Sequence, residues 1–380
     1  MGIRSALTYR IHEPISNSKF LIPNSLPCLT PSTFYPFPYF CITMDYRELR
    51  IVFMGTPEFA VASLDALVKA GCRVAGVITS PDKPAGRGMK LQESAVKKYA
   101  LEHGLHILQP PKLKDPQFLE ELRSLNADLQ IVVAFRMLPE VVWTMPPMGT
   151  VNVHGSLLPQ YRGAAPINWA IINGEKETGV TTFRLKHEID TGNILLQERI
   201  PISENETAGE LHDRMKEIGA QLLVRTVVGL ADGTISEVEQ DYRQPTTDNR
   251  QDLLQNGEPL PHEHRSSVVG NRSSSLRHAP KIFTETCRID WNKPVEEVHN
   301  LVRGLSPFPG AFTNLQGKML KIYRSEKDHT PPALPPGEVQ TDHKSQFKFT
   351  CPDGLLIVKE LQLEGKKKMP VEEFLKGYRG

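Results

Sequence analysis

The sequence predicts an α/β chain in which a doubly wound, mostly parallel sheet is followed by a small β-barrel. Three observations carry this. Arg50 to Met54 is a nearly continuous apolar run, as a parallel strand buried on both faces requires. The turn Gly55-Thr56-Pro57, an amphipathic stretch from Glu58 to Ala70 and a second run from Arg73 to Thr79 complete a βαβ unit. Far downstream, the short apolar runs Met319 to Tyr323, Phe347 to Cys351 and Leu355 to Leu363 are separated by Pro, Gly and Asp turns, the signature of short barrel strands. A chain of 380 residues has room for two such domains, each with its own core.

Composition narrows the function classes. The net charge of +1 excludes a global polycation, so any nucleic-acid contact must be local. The five cysteines are scattered and contain no C-x-x-C, which argues against a disulfide framework and against a zinc site, and the reading is no metal in a reducing, cytoplasmic setting. No run of 18 apolar residues is present, so no membrane span is expected. The first turn is G-T-P rather than G-x-G-x-x-G, which removes most of the support for a nicotinamide dehydrogenase.

The elements follow in order. Residues 1 to 43 form an irregular leader, rich in Pro, Ser, Phe and Tyr and without sustained period; prolines break its apolar stretch, so it does not read as a secretory signal. The expectation is that Met44 is the true start, and peptides from residues 1 to 43 in the native protein would refute it. The first domain spans residues 44 to 243. After its βαβ opening, Ser80 to Lys90 is a Pro- and Gly-rich loop with three cations, for which a solvated surface loop is the plain reading. Ser94 to Gly104 reads as a helix, Ile107-Leu108 as a short strand, Pro116 to Leu125 as a helix and Asp128 to Ala134 as a strongly apolar strand. Glu206 to Val228 is a long helix with an apolar face of Leu211, Met215, Ile218 and Leu222, widened by Leu223 and Val227, expected to pack on the sheet.

The chemistry concentrates between Val151 and Leu195. Asn152 and His154 alternate in a short β-type run, so both side chains leave one face of one strand. Ser156-Leu157-Leu158-Pro159 stops that strand, Tyr161 to Pro166 is a small-residue turn, Ile167 to Ile172 a short helix and Gly179 to Phe183 the next strand. Asp190-Thr191-Gly192 is then a loop able to return a carboxylate to the first pair. Each residue alone has a bland reading: a satisfied core histidine, a capping asparagine, a plain turn. His187 reads as a surface residue or a neighbour of the site, His212 as structural, and Cys287 and Trp291 as core.

The spaced set N-x-H-x-S-L-L-P, Y-R-G-A-A-P-I and D-T-G resembles the catalytic core of the folate-dependent formyltransferases, and closely that of the methionyl-tRNA formyltransferases. The resemblance implies transfer of a formyl group from 10-formyltetrahydrofolate to the amino group of methionyl initiator tRNA, in translation initiation. An amine attacking a formyl carbon creates an oxyanion and a leaving nitrogen that needs a proton; Asn152 and His154 suit the oxyanion, and Asp190 would favour and orient the imidazolium or organise a proton-shuttling water. Ser156, Leu157, Leu158 and Pro159 resemble the folate-contacting segment. Phe135 and Met137 lie in a stretch implied to line the pterin pocket, although core is an equal reading and Phe135-Arg136 replaces the usual Tyr-Gly. The loop P-D-K-P-A-G-R-G resembles one that reaches over the tRNA acceptor end, which implies Arg87 as a tRNA contact, with Lys83 beside it.

Residues 244 to 278 break the pattern as an irregular linker, either disordered or read in the wrong frame; the abrupt return of A-P-K-I at Ala279 favours the second. Residues 279 to 380 are expected to form the OB-like, tRNA-binding barrel, opened by a short helix from Val295 to Arg303. They hold 16 Lys+Arg against 13 Asp+Glu, and Lys366, Lys367 and Lys368 concentrate that surplus, as a tRNA-backbone contact or as a solvated face at even odds. A monomer is expected. The rivals are another folate-dependent formyltransferase, acting on a glycinamide ribonucleotide or an amino sugar, and a non-catalytic folate- or RNA-binding relative.

Overall fold

The computed structural model describes residues 44–85, 90–241 and 276–378. The leader at 1–43, most of the expected linker and Arg87 lie outside these residues. The first part contains β1 (Arg50–Gly55), α1 (Glu58–Lys69), β2 (Arg73–Ile78), a two-stranded ribbon of β3 (Lys83–Ala85) and β4 (Lys90–Gln92), α2 (Ala95–Glu102), β5 (Ile107–Leu108), α3 (Pro116–Ser124), β6 (Leu129–Val133), α4 (Glu140–Trp143), β7 (Thr150–His154), β8 (Arg162–Gly163), α5 (Pro166–Ile172), β9 (Glu177–Arg184), β10 (Ile194–Pro201) and α6 (Ala208–Ala231). Helix boundaries follow the chemistry of their ends. Ser94 caps α2 through Lys97 N, Asp115 caps α3, and Thr207 and Glu210 form a capping box on α6.

The sheet runs β10-β9-β7-β6-β1-β2-β5, parallel from β5 to β7 and antiparallel over β7, β9 and β10. The chain winds from β1 outward to β5, then returns to β6 on the other side of β1. That reversal opens a crevice at the carboxyl ends of β1 and β6, where open α/β sheets bind ligands. Both faces are covered. Ile51, Phe53, Leu129, Ile131, Val151 and Val153 join α1 and α6 in the larger core. Val52, Met54, Ile78 and Val132 pack with Phe118, Leu122 and Val142 on the opposite face. Period-two alternation therefore sends Val151 and Val153 into the larger core and Asn152 and His154 to the other side.

Two features depart from the sequence reading. The loop predicted at Ser80 to Lys90 instead holds β3 and the first residue of β4, and the ribbon's base is fixed by an Asp82–Lys97 ion pair and by Gln109 Nε2, which donates to Asp82 Oδ1 at 2.9 Å. Residues 276–279, expected in or beside the linker, dock onto the first domain: β11 (His278–Ala279) pairs with β8, and Ala279 is buried in the larger core.

The second part contains α7 (Val295–Gly304), β12 (Ala311–Leu315), β13 (Lys318–Asp328), β14 (Val339–Thr341), β15 (Phe347–Cys351), β16 (Gly354–Leu363), β17 (Met369–Pro370) and α8 (Val371–Leu375). The expected barrel is an OB-like half-barrel. Its antiparallel order is β12-β13-β16-β15-β14, and among the described residues the edges β12 and β14 do not pair. Register shifts around Tyr323 mark bulges that bend β13. Phe347, Phe349, Leu320, Ile322 and Leu356 fill the concavity with α7 and α8. Cys287 is in this core, and Trp291 stacks on Phe349 at 4.3 Å. The parts meet where Arg303 Nη1 donates to the Glu206 carbonyl at 3.2 Å, Asn168 Nδ2 to the Gly304 carbonyl at 2.7 Å and Gly209 N to the Ser306 carbonyl at 3.0 Å.

Candidate active site

β7 ends at the crevice, and its ladder fixes the first two site residues. Asn152 stands opposite Val132 on one side and Phe183 on the other, and His154 opposite Thr181. Asn152 is half-buried, and none of the described residues takes a hydrogen bond from its carboxamide. His154 is buried, edge-on to Phe183 with ring centroids 6.4 Å apart. Its Nε2 lies 2.9 Å from the Tyr161 carbonyl. That oxygen can only accept, so Nε2 carries the proton and Nδ1 is the nitrogen left for chemistry.

Nδ1 faces Asp190 Oδ2 at 3.8 Å, beyond a hydrogen bond but within charge reach. Asp190 in turn accepts the Gly163 N–H at 3.0 Å. The sequence-predicted convergence of imidazole and carboxylate is thus present, with Asn152 two residues away on the same strand face. Three of the positive-φ residues other than glycine border this crevice: Ala134 (φ 47°), Tyr161 (φ 59°) and Asp190 (φ 56°). Such backbone is sparsely populated and persists where neighbours hold it. Gly192 follows for a steric reason. A Cβ there would lie 1.5 Å from the Arg184 carbonyl oxygen.

The remaining predicted residues divide. Ser156 is fully buried, and its Oγ donates to the Gln160 carbonyl at 2.6 Å, which shapes the turn. Leu158 is buried, whereas Leu157 and Pro159 are half-buried. Phe135 is half-buried against the smaller core, and Met137 is 75% exposed, so the core reading fails for Met137. Lys83, Lys366, Lys367 and Lys368 are exposed and lie on other elements. His187 is exposed, and His212 lies 5.2 Å from Phe59, ring to ring. Among the described residues no group of three or more His, Cys, Asp or Glu could hold a metal.

Sequence reasoning missed Gln240 and Arg277. Gln240 Nε2 donates to the Asp190 carbonyl at 2.9 Å and to the Gly192 carbonyl at 2.7 Å. Arg277 donates to the Tyr161 hydroxyl at 3.1 Å and to Glu175 at 2.9 Å, while burial raises the Tyr161 phenol above its usual range. No local signal marks either residue, because each acts on a segment far away in sequence. Beside the mouth, a cavity of about 470 Å³ is lined by Ala164, Ala165, Lys281, Phe283, Phe308 and Lys321.

Comparisons with known proteins give the chain a family. The formyl transferase family matches residues 49–227, and the formyl transferase C-terminal domain matches residues 281–379. Methionyl-tRNA formyltransferase of Parabacteroides distasonis is 52% identical over 344 residues, 88% of this chain and 98% of that protein. The protein of the same name from Bacteroides fragilis is 50% identical over 340 residues, 88% and 97% respectively. The chain belongs to the methionyl-tRNA formyltransferase family. More distant solved structures of formyltransferase-like fold extend the likeness. An N-formyltransferase from Helicobacter canadensis, in complex with folinic acid and dTDP-3-aminofucose, aligns with TM-score 0.57 at 20% identity over 84% of this chain and all of that one. HypX of Aquifex aeolicus, in complex with tetrahydrofolic acid, aligns with TM-score 0.55 at 18% identity over 87% of this chain and 48% of that one. At that distance the likeness is one of fold and does not argue for a sugar acceptor. No helix among the described residues is long and apolar enough to cross a membrane.

Proposed function

We propose that this protein transfers the formyl group of 10-formyltetrahydrofolate to the α-amino group of methionyl initiator tRNA, using Asn152, His154 and Asp190. The observation that carries the reading is the buried approach of His154 Nδ1 to Asp190 Oδ2 at 3.8 Å, beside an Asn152 carboxamide with no partner among the described residues. It occurs in a chain about half identical to methionyl-tRNA formyltransferases along nearly their whole length.

The roles follow from the donors present. The amine attacks the formyl carbon, the new C–N bond forms, and negative charge collects on the formyl oxygen. The Asn152 amide N–H is a donor for that oxygen. His154 takes up the amine's proton at Nδ1, because Nε2 is tied to Tyr161, and releases a proton to the leaving nitrogen as the old C–N bond breaks. Asp190, held by Gly163, offsets the imidazolium charge. The products are the formylated aminoacyl-tRNA and tetrahydrofolate.

The surroundings fit a flat, partly apolar donor. Exposed Met137 leaves the end of β6 next to the end of β7, where Leu157 and Pro159 are half-buried. The neighbouring cavity, with Phe308 82% exposed and Lys281 and Lys321 at its wall, suits the unpaired acceptor end of a tRNA by stacking and charge. The test is formylation of methionyl-tRNA by the purified chain with 10-formyltetrahydrofolate. Transfer that is lost in Asn152→Ala and His154→Ala while folding is kept supports the reading. Full activity in both variants would sink it.

A further inference from the structure

Asp190 lies in a loop, in left-handed backbone, and its position depends on what grips that loop. Gln240 makes two of the hydrogen bonds that hold it. It is 4% exposed, and its single carboxamide nitrogen serves two carbonyls, those of Asp190 and Gly192. Its oxygen accepts from the Arg162 guanidinium. Arg162 precedes Gly163, whose N–H donates to the Asp190 carboxylate. The four groups close a ring: Gly163 to the Asp190 side chain, the Asp190 backbone to Gln240, Gln240 to Arg162, and Arg162 to Gly163 through the peptide bond. Val238, two residues before Gln240, bridges Ile194 through paired backbone hydrogen bonds of 2.7 and 2.9 Å, which sets the reach of the carboxamide.

The far end of the connecting segment makes a matching attachment. Tyr161 N donates to the Arg277 carbonyl at 2.7 Å, and Arg277 N donates to Gln160 Oε1 at 2.8 Å. The Arg277 guanidinium reaches the Tyr161 hydroxyl and Glu175, and Ala279 pairs with Gly163. Tyr161 is the residue whose carbonyl receives His154 Nε2–H.

We infer that Gln240 and Arg277, at the two ends of the segment joining the domains, are positioning residues for the reacting pair, Gln240 setting Asp190 and Arg277 setting His154 through Tyr161. The inference rests on the roles of Asp190 and His154 proposed above. Its physical basis is the pairing of buried carbonyls. Without the Gln240 donor, two of them are left unpaired, and the loop relaxes by turning them outward. The Asp190 carboxylate then moves away from His154, and a displacement of about 1 Å costs on the order of a hundredfold in rate.

The experiment uses the full chain with Gln240→Met, which keeps volume without a donor, and Gln240→Glu, which keeps shape but faces two carbonyls with an acceptor. The readouts are kcat, KM for each substrate, the pH–rate profile and thermal unfolding. Both variants are expected to lose about 30- to 100-fold in kcat with KM within about twofold and an altered pH profile. Arg277→Met is expected to lose about tenfold in kcat. Asp190→Asn and the double variant Asp190→Asn/Gln240→Met complete a cycle. With Asp190 already removed, the Gln240 change should cost less than about threefold. An undiminished kcat in folded Gln240 variants, or fully additive losses, would overturn the inference. An undiminished rate in Asp190→Asn would instead overturn the underlying role of Asp190. Should Gln240→Met fail to fold, Gln240→Glu and Gln240→Asn carry the same cycle.

Discussion

The site is built in two halves by different means. Asn152 and His154 ride on β7, which is paired on both sides, so their positions are fixed by two ladders and the core beneath. Asp190 rides on a loop and is held by a few hydrogen bonds from Gly163 and Gln240. The first half resists disturbance because many interactions must break together. The second half can be misplaced by one substitution. The sheet therefore fixes an amide and an imidazole, and the loop holds a carboxylate whose place is adjustable.

The largest expected effect comes from the loop half. Gly192→Ala sets a methyl group against the Arg184 carbonyl oxygen and carbon, and backbone cannot rotate away as a side chain could. We expect a loss of about 4 kcal/mol or more in urea unfolding, or no folded protein. A stable, active Gly192→Ala chain would mean that the loop is softer than its hydrogen bonds imply, and would erase the contrast.

Asn152→Ala and His154→Ala test the strand half. The β7 ladder is backbone, so the variants should fold with an intact sheet, His154→Ala losing about 1–3 kcal/mol because the Tyr161 carbonyl loses its donor. The kcat/KM of each is expected to fall by about 10²- to 10³-fold. Steady-state kinetics alongside circular dichroism separates the two readouts. Loss of folding in Asn152→Ala would show that this half, too, is held by side chains.

This contrast also explains what is legible in the sequence. Local pattern reports local structure: the apolar run at Arg50 to Met54, the amphipathic faces of α1 and α6 and the alternation at Asn152 and His154 each need only a few adjacent residues to be read. β10 escapes such a reading, because its alternation is blurred by Gln197, Glu198 and Arg199 on an edge strand. Asp190 is legible only through the order of motifs around it. Gln240 and Arg277 are not legible at all, since each works across 48 or more residues and stands in polar sequence without period. The docking of β11 on β8 is hidden for the same reason: two residues of strand leave no pattern.

Acid provides a further separation. His299, 1% exposed at the domain interface, is pushed down to about 4 by burial and by the Arg303 and Lys327 charges, against weaker pulls from the Glu204 backbone and Glu296. Its Nδ1 pairs with Ser325 Oγ at 2.9 Å. A folded-state value below the unfolded one means that the unfolded chain binds the extra proton first. The contribution to stability is complete above about pH 6.5 and is lost as pH falls towards 4, by up to about 3 kcal/mol. His299→Gln should flatten that acid slope in denaturant melts while leaving the pH–rate profile of the reacting pair in place. If the slope is unchanged, the acid sensitivity arises elsewhere.

The smallest effect on the fold is expected where little holds the side chains. Lys366, Lys367 and Lys368 are exposed. Lys368 pairs with Glu360 at 2.8 Å and lies 4.9 Å from the Tyr323 ring centroid. Replacing all three by Ser should change stability by about 0.5 kcal/mol or less, because exposed ion pairs contribute little. If the run meets the tRNA backbone, the same variant weakens binding and lowers the slope of log Kd against log salt by about one for every phosphate that the lysines neutralise, with kcat unchanged. An unchanged salt slope would make the run a solvated face. The comparison then sharpens into three tiers: strand residues whose loss should cost rate, loop residues whose loss should cost geometry, and surface lysines whose loss should cost encounter or nothing at all.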